Sequence, residues 1–300
     1  MPHDLRLLIV DPQNDFCATD PATRHAGHHP ALPVNGADAD IRRLARAIDT
    51  LGPRLNHIAI TLDSHAERDI AHPTFWQTAS GGEVAPFTQI SADDLAAGNF
   101  QPRDPADLPR ARQYVAALEA SGRYGLMVWP VHCVVDTWGH AIHAAVETAS
   151  QRWFEQTGQQ VYVVRKGLNP YTEHYSALQA EVPDPGDPDT QCNIDLLRWA
   201  TDAGQLLIAG EASSHCVRAT MEDLLAQGGP DFAQRITLLI DCTSPVAGFE
   251  RMHNEFLERM RIAGVQLQRS QDVVEHIGDA LNALCQAKTA RSSHKKLNTP

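Results

Sequence analysis

Short apolar runs alternate along this chain with longer stretches in which apolar positions recur at helical spacing. The run at residues 5–11 (LRLLIVD) has no regular polar alternation, which is typical of a strand covered on both faces. Similar runs predict strands at 57–63, 125–128, 160–165, 205–209, 235–240 and 265–268. Helical spacing predicts helices at 36–50, 137–154, 193–203, 215–227, 248–262 and 271–287. This alternation predicts a three-layer α/β/α fold around a mainly parallel sheet of about six strands.

Two segments break this rhythm. Residues 16–35 form a loop rich in His, Pro and Ala, in which we interpret His25, His28 and His29 as surface residues. Residues 77–123 form a polar insertion, for which we predict one helix after Pro109. Because neither resembles a linker between two cores, we expect one domain over 1–287 and a disordered tail at 288–300.

Composition narrows the class of protein. Of the 300 residues 43% are hydrophobic and 21% charged, and the net charge is −12, which argues against nucleic acid or anionic membrane as a partner. No apolar run approaches the ~20 residues of a membrane span, and residues 1–20 lack the features of a signal peptide. The six cysteines show no paired spacing. We therefore expect a cytoplasmic protein with reduced thiols that acts on a small molecule, either as a monomer or as a homo-oligomer.

Polar side chains collect where the predicted strands end. They are Asp11, Asp63, His65, Lys166 and the polar residues of segments 129–133 and 211–216. In open α/β sheets, ligands bind beyond the carboxyl ends of the parallel strands. We therefore expect all of these groups to face one crevice.

Cys216 is the candidate nucleophile in this crevice. It follows a predicted strand directly and occupies the first turn of a predicted helix, where backbone N–H groups can lower a thiol's pKa and hold an oxyanion. Asp11 can take the thiol proton and later return it if burial raises its pKa. Lys166 can stabilise the thiolate and orient the carboxylate. Together the three predict a nucleophile, a base and an orienting cation.

A second group has the ligands of a transition metal. Asp63 and His65 are two positions apart just after a strand, and His132 lies at another predicted strand end. Carboxylate and imidazole suit zinc, iron or manganese, of which we expect zinc. A D-x-H pair alone is common on protein surfaces, and it is His132 that favours a metal site. His72 is a further candidate, either as a ligand or as a group that holds a water.

Several short motifs occur together in this sequence and in a fixed order. They are residues 11–16 (DPQNDF), 32–37 (LPVNGA), 63–65 (DSH), 129–134 (WPVHCV), 166–167 (KG), 175–177 (YSA) and 210–218 (GEASSHCVR). In these motifs the chain resembles the isochorismatase-like cysteine hydrolases, and within them the nicotinamidases. The resemblance covers most of the chain except the two long loops and the tail.

This resemblance implies a site and a reaction. Asp11, Lys166 and Cys216 would be catalytic, a cis peptide would precede Ala212, and the N–H groups of Ala212 and Cys216 would form the oxyanion hole. The implied reaction cleaves a small carboxamide through a cysteine thioester, with nicotinamide giving nicotinate and ammonia in pyridine nucleotide salvage. Phe16 and Trp129 would sandwich the pyridine ring, although both are also ordinary packing residues.

The sequence also departs from the family pattern. Pro12 replaces an apolar residue, Ser213 and Ser214 replace T-D, and Glu211 brings an extra charge beside the nucleophile. These changes leave open a related amidase for a non-aromatic amide of the carbamoyl, maleamate or biuret type. A non-catalytic relative that binds a metal or ligand is a third alternative, against which the intact Asp11, Lys166 and Cys216 argue.

Overall fold

A computed structural model describes residues 4–21 and 27–277 of the chain. Its strands are β1 (Leu5–Val10), β2 (His57–Asp63), β3 (Trp76–Thr78), β4 (Thr88–Ile90), β5 (Phe100–Pro102), β6 (Leu126–Val128), β7 (Tyr162–Lys166), β8 (Gln205–Gly210), β9 (Ile236–Leu239) and β10 (Gln266–Gln268). Its α-helices are α1 (Asn14–Cys17), α2 (Ala37–Leu51), α3 (Ala92–Ala97), α4 (Leu108–Ser121), α5 (Ala144–Thr157), α6 (Ile194–Thr201), α7 (Cys216–Gln227) and α8 (Glu250–Ala263).

A six-stranded parallel sheet carries the site, in the order β10-β9-β8-β1-β2-β7. β1 lies in the interior of the sheet, where Leu7 is paired with Ile58 of β2 and with Leu207 of β8. Its residues are buried almost throughout, as their unbroken apolar run predicts. The α/β fold and the parallel sheet expected from the sequence are confirmed.

One predicted strand has a different place. β6 pairs antiparallel with β4 in a separate two-stranded sheet and does not join the parallel sheet. Its apolar run is only three residues long, and periodicity in so short a run cannot reveal its partner. The helix expected from residue 137 begins at Ala144, because residues 139 and 141 accept hydrogen bonds from the backbone N–H groups of Asp15 and Asn14.

The insertion at 77–123 is more ordered than the sequence indicated. It holds α3, α4 and three short strands, so the expectation of a single helix was wrong. Ser91 and Asp94 form a capping box that starts α3, and α4 begins one residue before Pro109. Apolar side chains from 70–128, among them Trp76 and Val115, form a cluster separate from the main core. The polar residues of this segment occupy its exposed outer positions.

A glycine brings β8 close to β1 at the end where the site lies. A Cβ at Gly210 would be 2.0 Å from the carbonyl oxygen of Val10, and its φ of +114° also favours glycine. Gly210 therefore lets the turn after β8 pass directly beside Asp11, the first residue after β1.

Other expectations concern the ends and the first loop. His28 and His29 are exposed, as expected, and the His28 ring stacks on Trp138 at 4.8 Å. His25, the tail at 288–300 and the end of the helix expected at 271–287 lie outside the described residues, while 270–277 are helical. In the part of the chain that the structure describes, no helix combines the length and apolar character of a bilayer span. The assignment of a single domain stays a prediction.

Candidate active site

Cys216, Lys166 and Asp11 meet at the carboxyl end of the sheet. Cys216 is the first residue of α7, Lys166 ends β7 and Asp11 follows β1. Lys166 Nζ lies 3.5 Å from Cys216 Sγ and 3.0 Å from Asp11 Oδ2, and the Asp11 carboxyl contacts the thiol. All three side chains are buried. The structure thus brings together the three groups that the sequence selected.

Asp11 has one carboxylate oxygen available to accept a proton. Thr61 Oγ1 donates to Oδ1 at 2.5 Å, whereas Oδ2 pairs with the Lys166 ammonium at 3.0 Å. Burial raises the pKa of Asp11 above its ordinary value, and Lys166 opposes this. The backbone φ of +44° at Asp11 is rare for a residue other than glycine. A buried carboxylate with a raised pKa suits a general base.

Lys166 holds the site together. Its Nζ donates to Asp63 Oδ1 at 3.0 Å and to the carbonyl oxygen of His174 at 2.9 Å, in addition to its contacts with Asp11 and Cys216. Burial alone would lower the pKa of Lys166, but the neighbouring Asp11, Asp63 and Cys216 raise it well above the usual value. The side chain is therefore a fixed cation.

The resting state of Cys216 differs from the expectation. The position at a helix N-terminus predicted a lowered thiol pKa, but burial raises the pKa of Cys216 well above its usual value. Lys166 lowers this pKa, while the negative charges of Asp11 and Asp63 raise it further. The resting sulfur is therefore a thiol beside an ion pair, and it needs Asp11 to become a nucleophile.

Two backbone N–H groups are candidate donors of an oxyanion hole. The Glu211–Ala212 peptide bond is cis, as the family resemblance implied. The N–H groups of His215 and Val217 both donate to the carbonyl oxygen of Ala212. Those of Ala212 and Cys216 have no acceptor within the described residues. They are the two donors that the resemblance implies.

Three histidines form a buried cluster next to these groups. Ligand atoms of His65, His72 and His132 lie within 4.8 Å of one another. Asp63 Oδ2 is 3.1 Å from His65 Nε2 and 3.4 Å from His132 Nε2. Three imidazoles and one carboxylate are a donor set that suits zinc and also iron or manganese. The structure thus joins His72, the additional candidate, to the other three residues.

Two of these histidines have opposite shifts in pKa. Burial together with His132 and His65 lowers the pKa of His72 to about 2, so that its imidazole is neutral. Burial would also lower the pKa of His65, but Asp63 and Asp69 raise it well above its usual value. Asp69 Oδ2 lies 3.1 Å from His65 Nδ1 and fixes the ring. Asp69 lies in no sequence motif and could not be identified from the sequence.

A cavity opens onto the Cys216 sulfur. Its walls are Phe16, Leu32, Asp63, Trp129, His132, Glu173, Tyr175, Ala212, His215, Cys216 and Val246. Phe16 and Trp129, the two predicted ring-binding residues, are thus both present. Trp129 Nε1 donates to Tyr175 Oη at 2.9 Å, which fixes the indole. The cavity volume is about 30 Å³, so an aromatic amide enters only if side chains of the wall move.

The insertion reaches this cavity from outside. The Phe87 ring, which is 51% exposed, lies edge-on against Trp129 with ring centroids 5.8 Å apart. The backbone N–H of Phe87 donates to the carbonyl oxygen of Val128 at 2.6 Å. The insertion therefore supports one wall of the pocket.

Sequence reasoning missed two polar residues of the wall. Burial raises the pKa of Glu173 to about 8, and its Oε2 has no hydrogen-bond partner among the described residues. Burial lowers the pKa of His215 to about 3, so that its ring is neutral. His215 could have been found from its place beside the nucleophile, but Glu173 lies in an irregular loop without a pattern.

The opening motif at 11–16 also has a structural role. The side chain of Gln13 donates to the carbonyl oxygen of Asp63 and accepts from its N–H, both at 2.7 Å. Asp15 accepts from the N–H of Cys133 at 2.7 Å and from that of Ala31 at 3.0 Å. The motif thus ties the ends of separate chain segments together around the pocket.

No protein-family model matches the chain. Among curated proteins, it is 33% identical over 141 residues to a nicotinamidase/pyrazinamidase of Mycobacterium tuberculosis, covering 46% of this chain and 62% of that protein. It is 26% identical over 224 residues to a nicotinamidase of Escherichia coli, covering 74% of this chain and 76% of that protein. The first of these alignments thus spans less than two thirds of the relative.

Solved structures show the same fold. The yeast nicotinamidase Pnc1p superposes with a TM-score of 0.58 at 19% identity, covering 88% of this chain and 99% of that one. A pyrazinamidase of Pyrococcus horikoshii in complex with zinc gives 0.52 at 19% identity, covering 89% and 99%. An isochorismatase-like hydrolase from Alkaliphilus metalliredigens gives 0.50 at 16% identity, covering 91% and 98%.

The parallel sheet and the structural matches define the fold, which this chain shares with solved nicotinamidases and with an isochorismatase-like hydrolase. The two curated proteins to which it is similar are a nicotinamidase/pyrazinamidase and a nicotinamidase.

Proposed function

We propose that this protein is an amidohydrolase that converts nicotinamide to nicotinate and ammonia. One observation carries the proposal: the Cys216 sulfur, the Asp11 carboxylate and the Lys166 ammonium meet in one buried site beneath an aromatic pocket. The nicotinamidases among the curated relatives support this choice of amide.

The first half of the reaction is acylation. Asp11 Oδ2 takes the proton of the Cys216 thiol, and the sulfur attacks the carboxamide carbon. The carbonyl oxygen becomes an oxyanion, which the N–H groups of Ala212 and Cys216 stabilise. Asp11 then donates this proton to the amide nitrogen. The C–N bond breaks, ammonia departs, and the acyl group remains on the sulfur as a thioester.

The second half is hydrolysis of the thioester. Asp11 takes a proton from a water molecule, whose oxygen attacks the thioester carbon. The C–S bond then breaks, and the proton returns to the sulfur. Lys166 keeps its charge throughout, because three anionic or polarisable groups surround it. It orients Asp11 and stabilises the sulfur whenever the sulfur is anionic.

The aromatic pocket selects the acyl group. Phe16 and Trp129 would lie against the faces of a pyridine ring, an arrangement that aromatic side chains favour. Asp63, His65, His72 and His132 would hold a divalent cation, for which we propose zinc, at the end of the pocket. A bound cation would supply a Lewis acid toward the ring nitrogen of the substrate.

Ammonia release tests the proposal. We expect the wild-type protein to release ammonia from nicotinamide and Cys216→Ala to release none while its metal content stays unchanged. Cys192→Ala is the matched control, since Cys192 is a partly exposed thiol outside the pocket. Ammonia release by Cys216→Ala would exclude Cys216 as the nucleophile. Release by the wild type from maleamate or biuret but not nicotinamide would contradict the aromatic substrate.

A further inference from the structure

Glu211, which directly precedes the oxyanion turn, has its carboxyl group buried completely. Ser244 N donates to its Oε2 at 2.9 Å, whereas its Oε1 has no hydrogen-bond partner among the described residues. The Glu211 carboxyl lies beside that of Asp40, from α2, and Ser244 bonds to both, because its N–H donates to Glu211 Oε2 and its Oγ donates to Asp40 Oδ2 at 2.5 Å. The acidic group expected beside the nucleophile therefore faces a second acid.

Two buried carboxyl groups can share a hydrogen bond only if one of them carries a proton. Asp40 accepts a hydrogen bond from Ser244 Oγ at 2.5 Å and pairs with Arg43, which stabilises its anionic form. Among the residues that the structure describes, only Ser244 N donates to Glu211. Burial and the neighbouring Asp40 raise the pKa of Glu211 well above its usual value. Glu211 therefore carries the proton and donates the hydrogen bond, which the Asp40 carboxylate accepts.

This contact ties three chain segments together at the oxyanion hole. Asp40 belongs to α2, Glu211 to the turn after β8, and Ser244 to the segment after β9. Ser213 N donates to the carbonyl oxygen of Ser244 at 3.0 Å, and Val246 N donates to Ser214 Oγ at 3.1 Å. Since Val246 also lines the pocket, the same contacts hold both the turn and one wall.

We propose that Glu211 and Asp40 share one proton and act as a positioning pair that fixes the orientation of the Ala212 N–H toward the oxyanion. The catalytic part of this proposal rests on the proposed function. Neither side chain touches the substrate; both act through the peptide bond between Glu211 and Ala212.

Two substitutions of Glu211 distinguish a positioning role from an effect of side-chain volume. A Gln at 211 can donate to Asp40 and accept from Ser244 N, so Glu211→Gln should keep kcat within about 2-fold of wild type. Glu211→Leu fills similar space without either bond, and we expect kcat to fall about 10- to 100-fold with KM little changed, because the donor acts mainly in the transition state. Equal kcat for the two variants, or a loss confined to KM, would overturn the positioning role.

A stability measurement tests the shared proton even if nicotinamide is not the substrate. Among the described residues, the other titratable or charged groups next to the pair include Arg43 of α2, Cys17 of α1 and Cys242 after β9. In a Cys216→Ala background, Glu211→Gln should gain stability relative to Glu211 as the pH rises above about 4.5, because only the folded Glu211 retains its proton there. Denaturant unfolding between pH 5 and 8 measures this difference. A difference independent of pH would refute the shared proton, whereas failure of every form to hydrolyse nicotinamide would refute only the proposed substrate.

Discussion

Asp63 connects Lys166 to the histidine cluster through the two oxygens of one carboxylate. Oδ1 accepts a hydrogen bond from Lys166 Nζ at 3.0 Å, and Oδ2 lies 3.1 Å from His65 Nε2. A change of charge at Lys166 therefore affects the histidine cluster through Asp63, and a change of charge in the cluster affects Lys166. The Asp63 side chain thus belongs both to the proposed acylation site and to the proposed metal site.

Asp63→Asn should weaken both sites at once. The amide lacks the charge that holds a divalent cation, and it removes one of the two anions that stabilise the Lys166 cation. We expect metal content to fall below half of the wild-type value and ammonia release from nicotinamide to fall at least about 100-fold. Metal analysis and a steady-state assay on the same preparation measure the two effects.

Asp69→Asn is the matched control for this change. Asp69 contacts His65 Nδ1 and does not contact Lys166, so its loss should lower metal affinity about 10- to 100-fold while activity returns at saturating metal. If added metal also restored Asp63→Asn completely, the link to Lys166 would have no catalytic role.

Metal affinity should rise with pH. Asp63 and Asp69 keep His65 protonated in the metal-free protein, and a metal can bind His65 only after that proton leaves. We expect zinc to bind at least about 10-fold more tightly at pH 8 than at pH 6, measured by competition with a chromophoric chelator. An affinity that is the same at both pH values would contradict the protonated state of His65.

Trp129 should control the choice between aromatic and non-aromatic amides. Trp129→Ala removes the indole from the cavity wall, and we expect kcat/KM for nicotinamide to fall about 10- to 100-fold. Trp129→Phe keeps a ring and loses only the bond to Tyr175, so its loss should be smaller. A panel with nicotinamide and maleamate measures the ratio. A parallel loss for both amides would mean that Trp129 only supports the pocket.

Glu181 should make folding depend on pH. Burial raises its pKa to about 7 from the ordinary 4.5, and its side chain is only 2% exposed. The folded protein therefore keeps a proton that the unfolded chain releases above about pH 4.5, so stability decreases as the pH rises from there to about 7. The full effect is about 3 kcal/mol.

The variant Glu181→Gln tests this dependence. It should show a flatter profile than the wild type when urea unfolding is followed at several pH values between 5 and 8. Glu119→Gln, a change at an exposed position of α4, serves as the control and should leave the wild-type profile unchanged. Identical profiles for Glu181→Gln and the wild type would show that another group sets the dependence.

Residues that lie at strand ends could be predicted from the sequence. Asp11, Asp63 and Lys166 each follow or end an apolar run, and parallel strands bring such positions to one edge whatever the details of packing. The same logic located Cys216 at the start of its helix. It failed for β6, whose three residues carry no information on which strand pairs with them.

The electrostatic state of the site could not be predicted in the same way. The raised pKa of Cys216 comes from burial by segments distant in the sequence, and that burial outweighs the helix N-terminus. The proton on Glu211 depends on Asp40, which lies in α2. Glu173 enters the pocket from a loop whose course follows no periodic pattern. Such properties depend on the packed structure as a whole.

Residues 73–127 lie in the sequence between two members of the histidine cluster. His72 lies at one end and His132 shortly after the other, with Nε2 and Nδ1 3.2 Å apart, and Trp129 N donates to the carbonyl oxygen of Ala71 at 2.7 Å. A cation bound there would fasten both ends of a peripheral lobe that has an apolar cluster of its own. Stripping the cation should then release this lobe to hydrogen exchange first, while β1 and β8 keep their amide protons.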